Sequence, residues 1–255
     1  MSTPHIEVTE TQGRKVALVS GANKGIGFET ARQLGRMGYI VYIGSRDAMK
    51  GEIAARRMRA EGTDARVLKL DVTKQSDIDA AARKIEAECG VLDALVNNAG
   101  VMHEKSWTVN STSATDMQSL RATYEANVFA VVALTQALLP LLRKSAAGRI
   151  VNVSSILGSV SLQATPGSPT YATKLFAYNS SKAALNMFTI SLAHELRNTK
   201  IKVNSAHPGW VKTDLGGDAA PMDAAAGAKT EVELATLPED GPTGGFVHDG
   251  KPIAW

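Results

Sequence analysis

The amino-acid sequence predicts a single α/β domain over residues 1–255, an open, doubly wound parallel sheet (Rossmann fold) with helices on both faces. Short runs rich in β-branched residues alternate with longer helical patterns, which is the order of a sheet built with crossover helices. The strand runs are almost continuously apolar, as expected for strands covered on both faces. In such sheets the ligand site lies at the carboxyl ends of the strands.

The elements follow from these runs in chain order. Strands are predicted over Val16–Ser20, Ile40–Gly44, Arg66–Leu70, Ala94–Asn97, Arg149–Val153 and Lys202–Ala206. Helices are predicted from the first turn to Met37, then over Ala48–Ala60, Ser76–Glu88, Ser119–Lys144 and Tyr178–Arg197. Gly38 and Gly62 follow the first two helices, where a glycine commonly ends a helix.

Charge and composition are those of an ordinary globular protein. Hydrophobic residues make up 44% of the chain, charged residues 21%, and the formal net charge is +3. The densest basic stretch, Arg56–Arg59, lies in an alanine-rich helical pattern beside Glu52 and Glu61. This pattern favours a solvated helix face over a nucleic-acid site, so no nucleic-acid partner is expected.

Three sequence features indicate where in the cell the protein is expected. The apolar run Val128–Leu142 is interrupted by polar residues and Pro140, which favours a buried helix over a membrane span. The segment Met1–Gln12 has no apolar stretch of the kind a secretion signal carries. The single cysteine, Cys89, excludes an internal disulfide. A cytoplasmic protein without membrane contact is therefore expected.

A glycine-rich turn follows the first strand and reads Ser-Gly-Ala-Asn-Lys-Gly-Ile-Gly over residues 20–27. Its small residues let the backbone approach a pyrophosphate, and the next helix offers free N–H groups and its positive dipole end to the anion. A purely structural role for the glycines is the alternative, and the strand-turn-helix context favours nucleotide binding. The candidate cofactor contacts here are Gly21, Asn23, Lys24, Gly25, Ile26 and Gly27.

The end of the second strand indicates which nucleotide binds. An acidic side chain there suits a free ribose 2′-OH, whereas a cation suits a 2′-phosphate. Arg46 follows this strand and Lys24 lies in the glycine turn, so two cations favour NADP(H). Asp47 points the other way, but it is interpreted as the N-cap of the next helix. An NAD-dependent alcohol dehydrogenase is the alternative.

Tyr178 and Lys182 are spaced i, i+4, which places the phenol and the ammonium on one face of a helix. A cation ~4 Å away at an effective dielectric of ~20 contributes about 4 kcal/mol. We therefore expect Lys182 to lower the pKa of the phenol towards the pH at which it can exchange protons. A surface Tyr–Lys pair is the alternative. Tyr171 and Lys174 form a competing pair, which we discount because their segment is rich in Pro, Gly and Thr.

Two further positions are candidates for the site. Ser154 and Ser155 follow the fifth strand, where a hydroxyl can donate a hydrogen bond to a substrate carbonyl. Asn127 lies in an apolar helical run where asparagine is unfavourable. It is either a core residue with satisfied hydrogen bonds or a residue that holds a water on a proton path.

Together these pieces resemble the short-chain dehydrogenase/reductase family, and within it the monomeric carbonyl reductases. The matching motifs span about Val16 to Asp214, and they are the glycine turn, Asp71-Val72, Asn97-Asn98-Ala99-Gly100, Asn127, Ser155, Tyr178-x-x-x-Lys182 and Pro208-Gly209-Trp210-Val211-Lys212-Thr213. The family pattern implies the catalytic residues Asn127, Ser155, Tyr178 and Lys182. It adds the cofactor contacts Asp71, Val72, Asn98, Tyr178, Lys182, Pro208, Gly209, Val211 and Thr213.

The resemblance implies NADPH-dependent reduction of a ketone or aldehyde, with Tyr178 as general acid/base and without a metal. Ser155 orients the carbonyl, and it is preferred over Ser154 because the family's serine precedes x-x-Gly. A non-catalytic NADP-binding regulator is the remaining alternative, although such proteins typically lose the tyrosine or the lysine.

The substrate and the assembly are less sharply indicated. Met102, Leu157 and Trp210 are expected to line an apolar pocket, which favours a hydrophobic carbonyl compound. Residues 156–177 form an extended loop before Tyr178, of a length between those of tetrameric and monomeric relatives, so a monomer and a homo-oligomer both remain open. Residues 216–228 are poor in large apolar side chains and are expected to be mobile over the site. Residues 214–240 are expected to cover the substrate.

Overall fold

A computed structural model describes residues 13–104 and 111–255. The described residues form one eight-stranded sheet in the order β3-β2-β1-β4-β5-β6-β7-β8. Neighbouring strands are parallel as far as β7, and β8 is antiparallel to β7. The strands are β1 Val16–Ser20, β2 Ile40–Ser45, β3 Ala65–Lys69, β4 Ala94–Asn97, β5 Arg149–Val153, β6 Lys202–Ala206, β7 Phe246–His248 and β8 Lys251–Pro252. The doubly wound fold is therefore confirmed, and β1 and β4 flank the point where the strand order reverses.

Both faces of this sheet are covered, because successive side chains of each strand enter two separate cores. In β1, Val16 and Leu18 pack into one apolar cluster and Ala17 and Val19 into the other. All five residues of β1 are buried. This explains why the strand runs are continuously apolar and show no alternation with polar residues.

The helices connect the strands and cover the two faces. They are α1 Gly25–Arg36, α2 Ala48–Ala60, α3 Gln75–Cys89, α4 Met117–Tyr124, α5 Ala130–Lys144, α6 Val160–Ala164, α7 Phe176–Glu195, α8 Ala224–Gly227 and α9 Lys229–Ala235. Asp47 caps α2, since its carboxylate accepts hydrogen bonds from the N–H groups of Met49 and Lys50. This confirms its interpretation as an N-cap.

The predicted helix Ser119–Lys144 is continuous but not uniform. A π-helical turn, Glu125–Phe129, separates α4 from α5 and contains Asn127. The whole run Met117–Lys144 is long and apolar enough to cross a membrane by length and composition alone, but half of its most apolar window is buried within the fold. A core helix gives the same result, so the absence of membrane contact stays a prediction. The segment Met1–Gln12 lies outside the described residues.

Two of the expected segments have more structure than the sequence pattern indicated. Residues 156–177 contain a 3₁₀ turn, Ile156–Gly158, and helix α6. Residues 214–240 contain α8 and α9, and most of α9 is buried. Helix α9, which follows the stretch expected to be mobile, packs into the core between the sheet and α1. That residues 214–240 cover the substrate stays a prediction.

Helix α9 carries an unusual buried carboxyl group. Glu231 is fully buried, and its Oε2 accepts a 2.7 Å hydrogen bond from the Thr30 hydroxyl of α1. Its Oε1 has no hydrogen-bond partner among the described residues. Burial raises the pKa of Glu231 to about 8, and the Thr30 hydrogen bond and the charge of Lys182 offset only part of this effect.

This burial has a pH-dependent cost. The carboxyl group ionises near its ordinary pKa of 4.5 in the unfolded chain but only near 8 in the fold. Between these two values the native state holds one more proton than the unfolded state, so the free energy of unfolding falls as the pH rises. We expect Glu231→Gln to gain stability relative to the parent over this window, by roughly 1–4 kcal/mol at its upper end.

Thermal or urea unfolding at several pH values measures this difference. Glu233→Gln, an exposed change two positions along the same helix, is the matched control and should show no such trend. A stability difference between Glu231→Gln and the parent that does not change with pH would contradict the analysis.

Candidate active site

A cavity of about 960 Å³ opens at the carboxyl ends of the central strands. This volume lies in the range of cofactor and ligand pockets. Segments from the glycine turn, from the ends of β2 to β6 and from the start of α7 line it. Its lining includes the predicted residues Gly21, Asn23, Lys24, Gly25, Ile26, Gly27, Arg46, Asp71, Val72, Asn98, Ser155, Tyr178, Lys182, Pro208, Gly209, Val211 and Thr213.

The glycine turn has the geometry that a pyrophosphate site requires. Gly21 and Gly25 have φ angles of +65° and +59°, a left-handed conformation that favours glycine. A Cβ on Gly27 would lie 2.3 Å from Asn98 Nδ2, so the helix start can approach the neighbouring strand only because this residue is glycine. Lys24, the N-cap of α1, makes no side-chain capping bond, which leaves the first N–H groups of the helix for an anion. The turn therefore fits a dinucleotide phosphate.

Hydrogen bonds across the switch point hold this turn in place. The Ser20 hydroxyl accepts from the N–H groups of Asn98 and Ala99, each at 3.0 Å. Asn98 Nδ2 donates to the carbonyl oxygens of Ser20 and Gly21 at 2.7 and 3.3 Å. The side-chain nitrogen of Asn98, predicted to contact the cofactor, thus binds the glycine turn.

The two cations predicted to bind the 2′-phosphate both line the cavity. Arg46 is exposed and forms no ion pair with any described residue. Lys24 forms an ion pair with Asp214 from the segment after β6. Both partners of this pair are more than half exposed, so the pair is weak and Lys24 can exchange Asp214 for a phosphate.

Tyr178 and Lys182 both face the cavity from the first two turns of α7, and both are buried. Lys182 Nζ lies 5.7 Å from the centroid of the Tyr178 ring and donates a 2.8 Å hydrogen bond to the carbonyl oxygen of Val153. The Ser155 side chain hydrogen-bonds to the phenol. Ser154, by contrast, donates to the carbonyl oxygen of Lys182. The structure therefore brings Tyr178, Lys182 and Ser155 together, and Ser154 bonds elsewhere.

The expected effect of Lys182 on the phenol is not found. Burial raises the pKa of Tyr178 to about 12, and the hydrogen bond from Ser155 offsets only part of that rise. Burial also lowers the pKa of Lys182 to about 8. The pKa direction expected from spacing was wrong, because desolvation of the buried phenol is the largest effect on it. Lys182 Nζ is directed to the carbonyl oxygen of Val153.

Asn127 is fully buried in the π turn, and its side chain is occupied by structural bonds. Its Oδ1 accepts from the Val101 N–H at 2.8 Å, while Nδ2 donates to the Val101 carbonyl oxygen and to the Ser181 hydroxyl. The side chain thus has its hydrogen bonds satisfied within the fold, and a role in holding a water on a proton path stays a prediction. Asn127 fixes the chain after β4, beside Lys182.

The competing Tyr–Lys pair has a structural role. Lys174 Nζ donates to the backbone and side-chain oxygens of Gln163 and lies 4.8 Å from the ring centroid of Tyr171. These contacts hold the segment before α7 together. Neither Tyr171 nor Lys174 lines the cavity.

The cavity also contains residues that the sequence pattern did not single out. His207 follows β6, and burial lowers its pKa to about 3, so its imidazole is neutral. Pro169, Thr170 and Thr173 enter the lining from the segment before α7. A position directly after a strand was the available signal for His207, whereas nothing in the local pattern marks the other three. Met102, expected in the pocket, is not among the lining residues.

Comparison with known proteins adds the family. The model of the short chain dehydrogenase family matches residues 15–224. The chain belongs to the short-chain dehydrogenase family. It is 34% identical to carbonyl reductase (NADPH) 1 of Mus musculus, over 96% of this chain and 100% of that protein. It is 30% identical to (+)-neomenthol dehydrogenase of Capsicum annuum, over 94% of this chain and 97% of that protein.

Solved structures agree with this placement in the short-chain dehydrogenase family. The NADPH-bound carbonyl reductase from chicken fatty liver superimposes with a TM-score of 0.82 at 28% identity, and the match covers 95% of this chain and 94% of that chain. The similarity extends over nearly the whole length, so it includes the cavity and both sides of the switch point.

The two exposed cations give a test of cofactor preference. We expect Arg46→Ala to raise the KM for NADPH by roughly tenfold, since it removes one charged hydrogen-bonding partner of the 2′-phosphate. The KM for NADH should stay unchanged. Lys24→Ala should act in the same direction, and the double variant should lose most of the preference for NADPH.

Steady-state kinetics with each cofactor measures these constants. Lys50→Ala removes an exposed cation near Arg46 that does not line the cavity, so it serves as the charge-matched control. Equal losses with NADPH and NADH in Arg46→Ala would show that Arg46 does not contact the 2′-phosphate.

Proposed function

We propose that this chain transfers a hydride from NADPH to the carbonyl carbon of a hydrophobic ketone or aldehyde, with Tyr178 as the general acid. The observation that carries the proposal is the buried group of Tyr178, Ser155 and Lys182 at the inner wall of a cavity whose outer part is a dinucleotide turn. The chain is an NADP(H)-dependent oxidoreductase of the carbonyl reductase type, as its NADPH-dependent relatives support.

Each of the site residues has a separate role in the reduction. NADPH, when bound, supplies the hydride. The carbonyl carbon accepts it, the π electron pair moves to oxygen, and that oxygen takes the phenol proton from Tyr178. Ser155, which hydrogen-bonds to the phenol, is placed to orient the same oxygen. The ammonium of Lys182 stabilises the phenolate left behind, because it lies beside the ring in a site shielded from water.

The raised phenol pKa suits the direction of reduction. A phenol with a pKa of about 12 is protonated throughout the neutral range, so the group is ready to donate. In the opposite direction the phenolate must form first, which requires alkaline pH or an added positive charge nearby. A protonated phenol at neutral pH is the form that carbonyl reduction requires.

Apolar side chains near Tyr178 support a hydrophobic substrate. Leu157 and Trp210 line the cavity as expected, and Val101, Ile156 and Leu215 join them. The relatives named above include a carbonyl reductase and a dehydrogenase named for a cyclic, apolar alcohol. A ketone or aldehyde on an apolar, ring-bearing skeleton fits this lining.

A cytoplasmic monomer or homo-oligomer that binds no nucleic acid remains the expected form.

Replacing the acid tests the reaction directly. We expect Tyr178→Phe to lower kcat for carbonyl reduction by roughly 10³-fold, because the alkoxide then has no positioned proton donor. NADPH binding should persist, since the phosphate contacts lie elsewhere. The assay follows loss of the reduced nicotinamide absorbance against a panel of ketones, aldehydes and quinones, and fluorescence titration measures NADPH affinity.

The outcomes of that assay separate the alternatives. Turnover that is much faster with NADPH than with NADH and is lost in Tyr178→Phe supports the proposal. Tight NADPH binding without turnover on any carbonyl would favour the non-catalytic regulator. Full activity in Tyr178→Phe would remove Tyr178 from the acid role.

Trp210 allows the substrate class to be tested. Its side chain is 53% exposed at the rim of the cavity, and Nε1 donates a 2.8 Å hydrogen bond to the Gly216 carbonyl oxygen. We expect Trp210→Ala to raise the KM for bulky apolar ketones by roughly fivefold or more, because it removes a large apolar contact surface. The KM for a small aldehyde should change less than twofold by the same reasoning.

Trp210→Phe is the matched control, since it keeps an apolar ring but loses the bond to Gly216. If Phe restores the KM for bulky ketones, the apolar surface is the part that matters. Equal changes for bulky and small substrates in Trp210→Ala would argue against a role in selecting hydrophobic compounds.

A further inference from the structure

Glu104 connects the segment after β4 to the helix that carries the acid. Its Oε1 accepts a 2.9 Å hydrogen bond from the backbone N–H of Tyr178. This N–H belongs to the first turn of α7, where backbone donors have no partner within the helix. Leu175, the N-cap residue, makes no side-chain capping bond. A helix is normally capped by a residue next to its first turn. Here Glu104, 74 positions earlier in the chain, makes this hydrogen bond.

The bond is made by a carboxylate, which lies against the backbone of Tyr178. Glu104 Oε2 is buried and has no hydrogen-bond partner among the described residues. None of the ion pairs within the described part of the chain includes Glu104. A charge in such a place acts over longer distances than one in water.

Among the residues that the structure describes, few other charged or titratable groups face Tyr178. Lys182 lies one turn along the same helix and its Nζ is bonded to Val153, while the neutral His207 lines the same cavity. Arg121 and Glu125, from α4 and the π turn that pack against α7, are exposed and share a separate groove with Phe176. Among the described groups, Glu104 is the anion that acts on the phenol, and it raises the pKa of Tyr178 in addition to the effect of burial.

We propose that Glu104 is a positioning residue for the reduction: it caps the helix that carries Tyr178, and its negative charge adds to burial in favouring the protonated, proton-donating phenol. This inference rests on the proposed role of Tyr178 as general acid. It assigns a second task to the carboxylate beyond holding the helix, because a neutral cap would fix the backbone equally well without acting on the proton.

The two tasks can be separated by substitution. Glu104→Gln keeps a side-chain oxygen that can accept the Tyr178 N–H but removes the charge. Glu104→Ala removes both. Glu195→Gln removes one carboxylate from the exposed far end of the same helix and serves as the control for net charge.

The experiment measures kcat and kcat/KM against pH in both directions, with NADPH and the best carbonyl substrate and with NADP⁺ and its alcohol, together with the melting temperature. A negative charge near the phenol disfavours the phenolate, so its removal moves the titration of Tyr178 to lower pH. In Glu104→Gln we expect the alkaline fall of the reduction rate to begin at lower pH. At a fixed pH on that limb, the rate should be roughly threefold to tenfold below the parent, and alcohol oxidation at a fixed lower pH should be faster.

The melting temperature reports the cap. Glu104→Gln should stay close to the parent, whereas Glu104→Ala should fall by roughly 2–4 °C. Glu195→Gln should leave the pH profile unchanged. If the reduction rate of Glu104→Gln falls at the same alkaline pH as that of the parent, the charge of Glu104 does not act on the phenol. If the melting temperature of Glu104→Ala is unchanged, Glu104 does not stabilise the helix as a cap.

Tyr178→Phe distinguishes a failure of this inference from a failure of the proposed function. If Tyr178→Phe is inactive while Glu104→Gln has the parental pH profile, Tyr178 remains the acid and only the role of Glu104 falls. If Tyr178→Phe retains turnover, the acid assignment fails and the inference on Glu104 fails with it.

Discussion

The active site depends on one constraint, the close contact of two chain segments at the point where the strand order reverses. Connections leave β1 and β4 towards opposite faces of the sheet, which opens a crevice between them. The Ser20 hydroxyl and the Asn98 amide close the lower part of this crevice with backbone hydrogen bonds. Gly27 permits the approach, because a side chain there would collide with Asn98. The cofactor turn and the chain that leads to Glu104 are thus fixed relative to each other.

Burial sets the electrostatics of the catalytic group. Tyr178, Lys182 and His207 all lie in a poorly solvated part of the cavity, and each has its neutral form favoured. At neutral pH the phenol of Tyr178 therefore holds its proton and the imidazole of His207 is neutral, while Lys182, with a pKa of about 8, is largely charged. The site thus places a proton donor beside a cation that can stabilise the phenolate.

The sequence predicted the parts of this molecule that depend on local patterns. Strand bounds agree to within a residue for the six predicted strands, because burial on both faces forces uninterrupted apolar runs. The glycine turn and the Tyr178–Lys182 pair were found because spacing alone fixes their geometry. Strands β7 and β8, of three and two residues, and the seven-residue helix α9 are too short to show a period, and the sequence pattern predicted none of them.

The remaining features of the site depend on tertiary contacts, which the sequence pattern does not show. Nothing near Lys182 in the sequence indicates that its ammonium reaches Val153. The burial of Tyr178, which reversed the expected pKa direction of its phenol, is likewise set by tertiary packing. The bond between Glu104 and Tyr178 joins residues on separate elements and leaves no local signature. Asn127 was recognisable as unusual from its apolar surroundings, but its function as a clamp on Val101 depends on where the chain after β4 lies.

The ion pair between Lys24 and Asp214 also bears on how the cavity exchanges its contents. It joins the glycine turn to the segment after β6 across the outer edge of the cavity. Because both side chains are solvated, separating them costs little free energy, and ions in solution weaken the attraction further. A cofactor phosphate that binds Lys24 has to replace only this weak contact. The strength of the contact that it replaces depends on the ionic strength of the solution as well as on the protein.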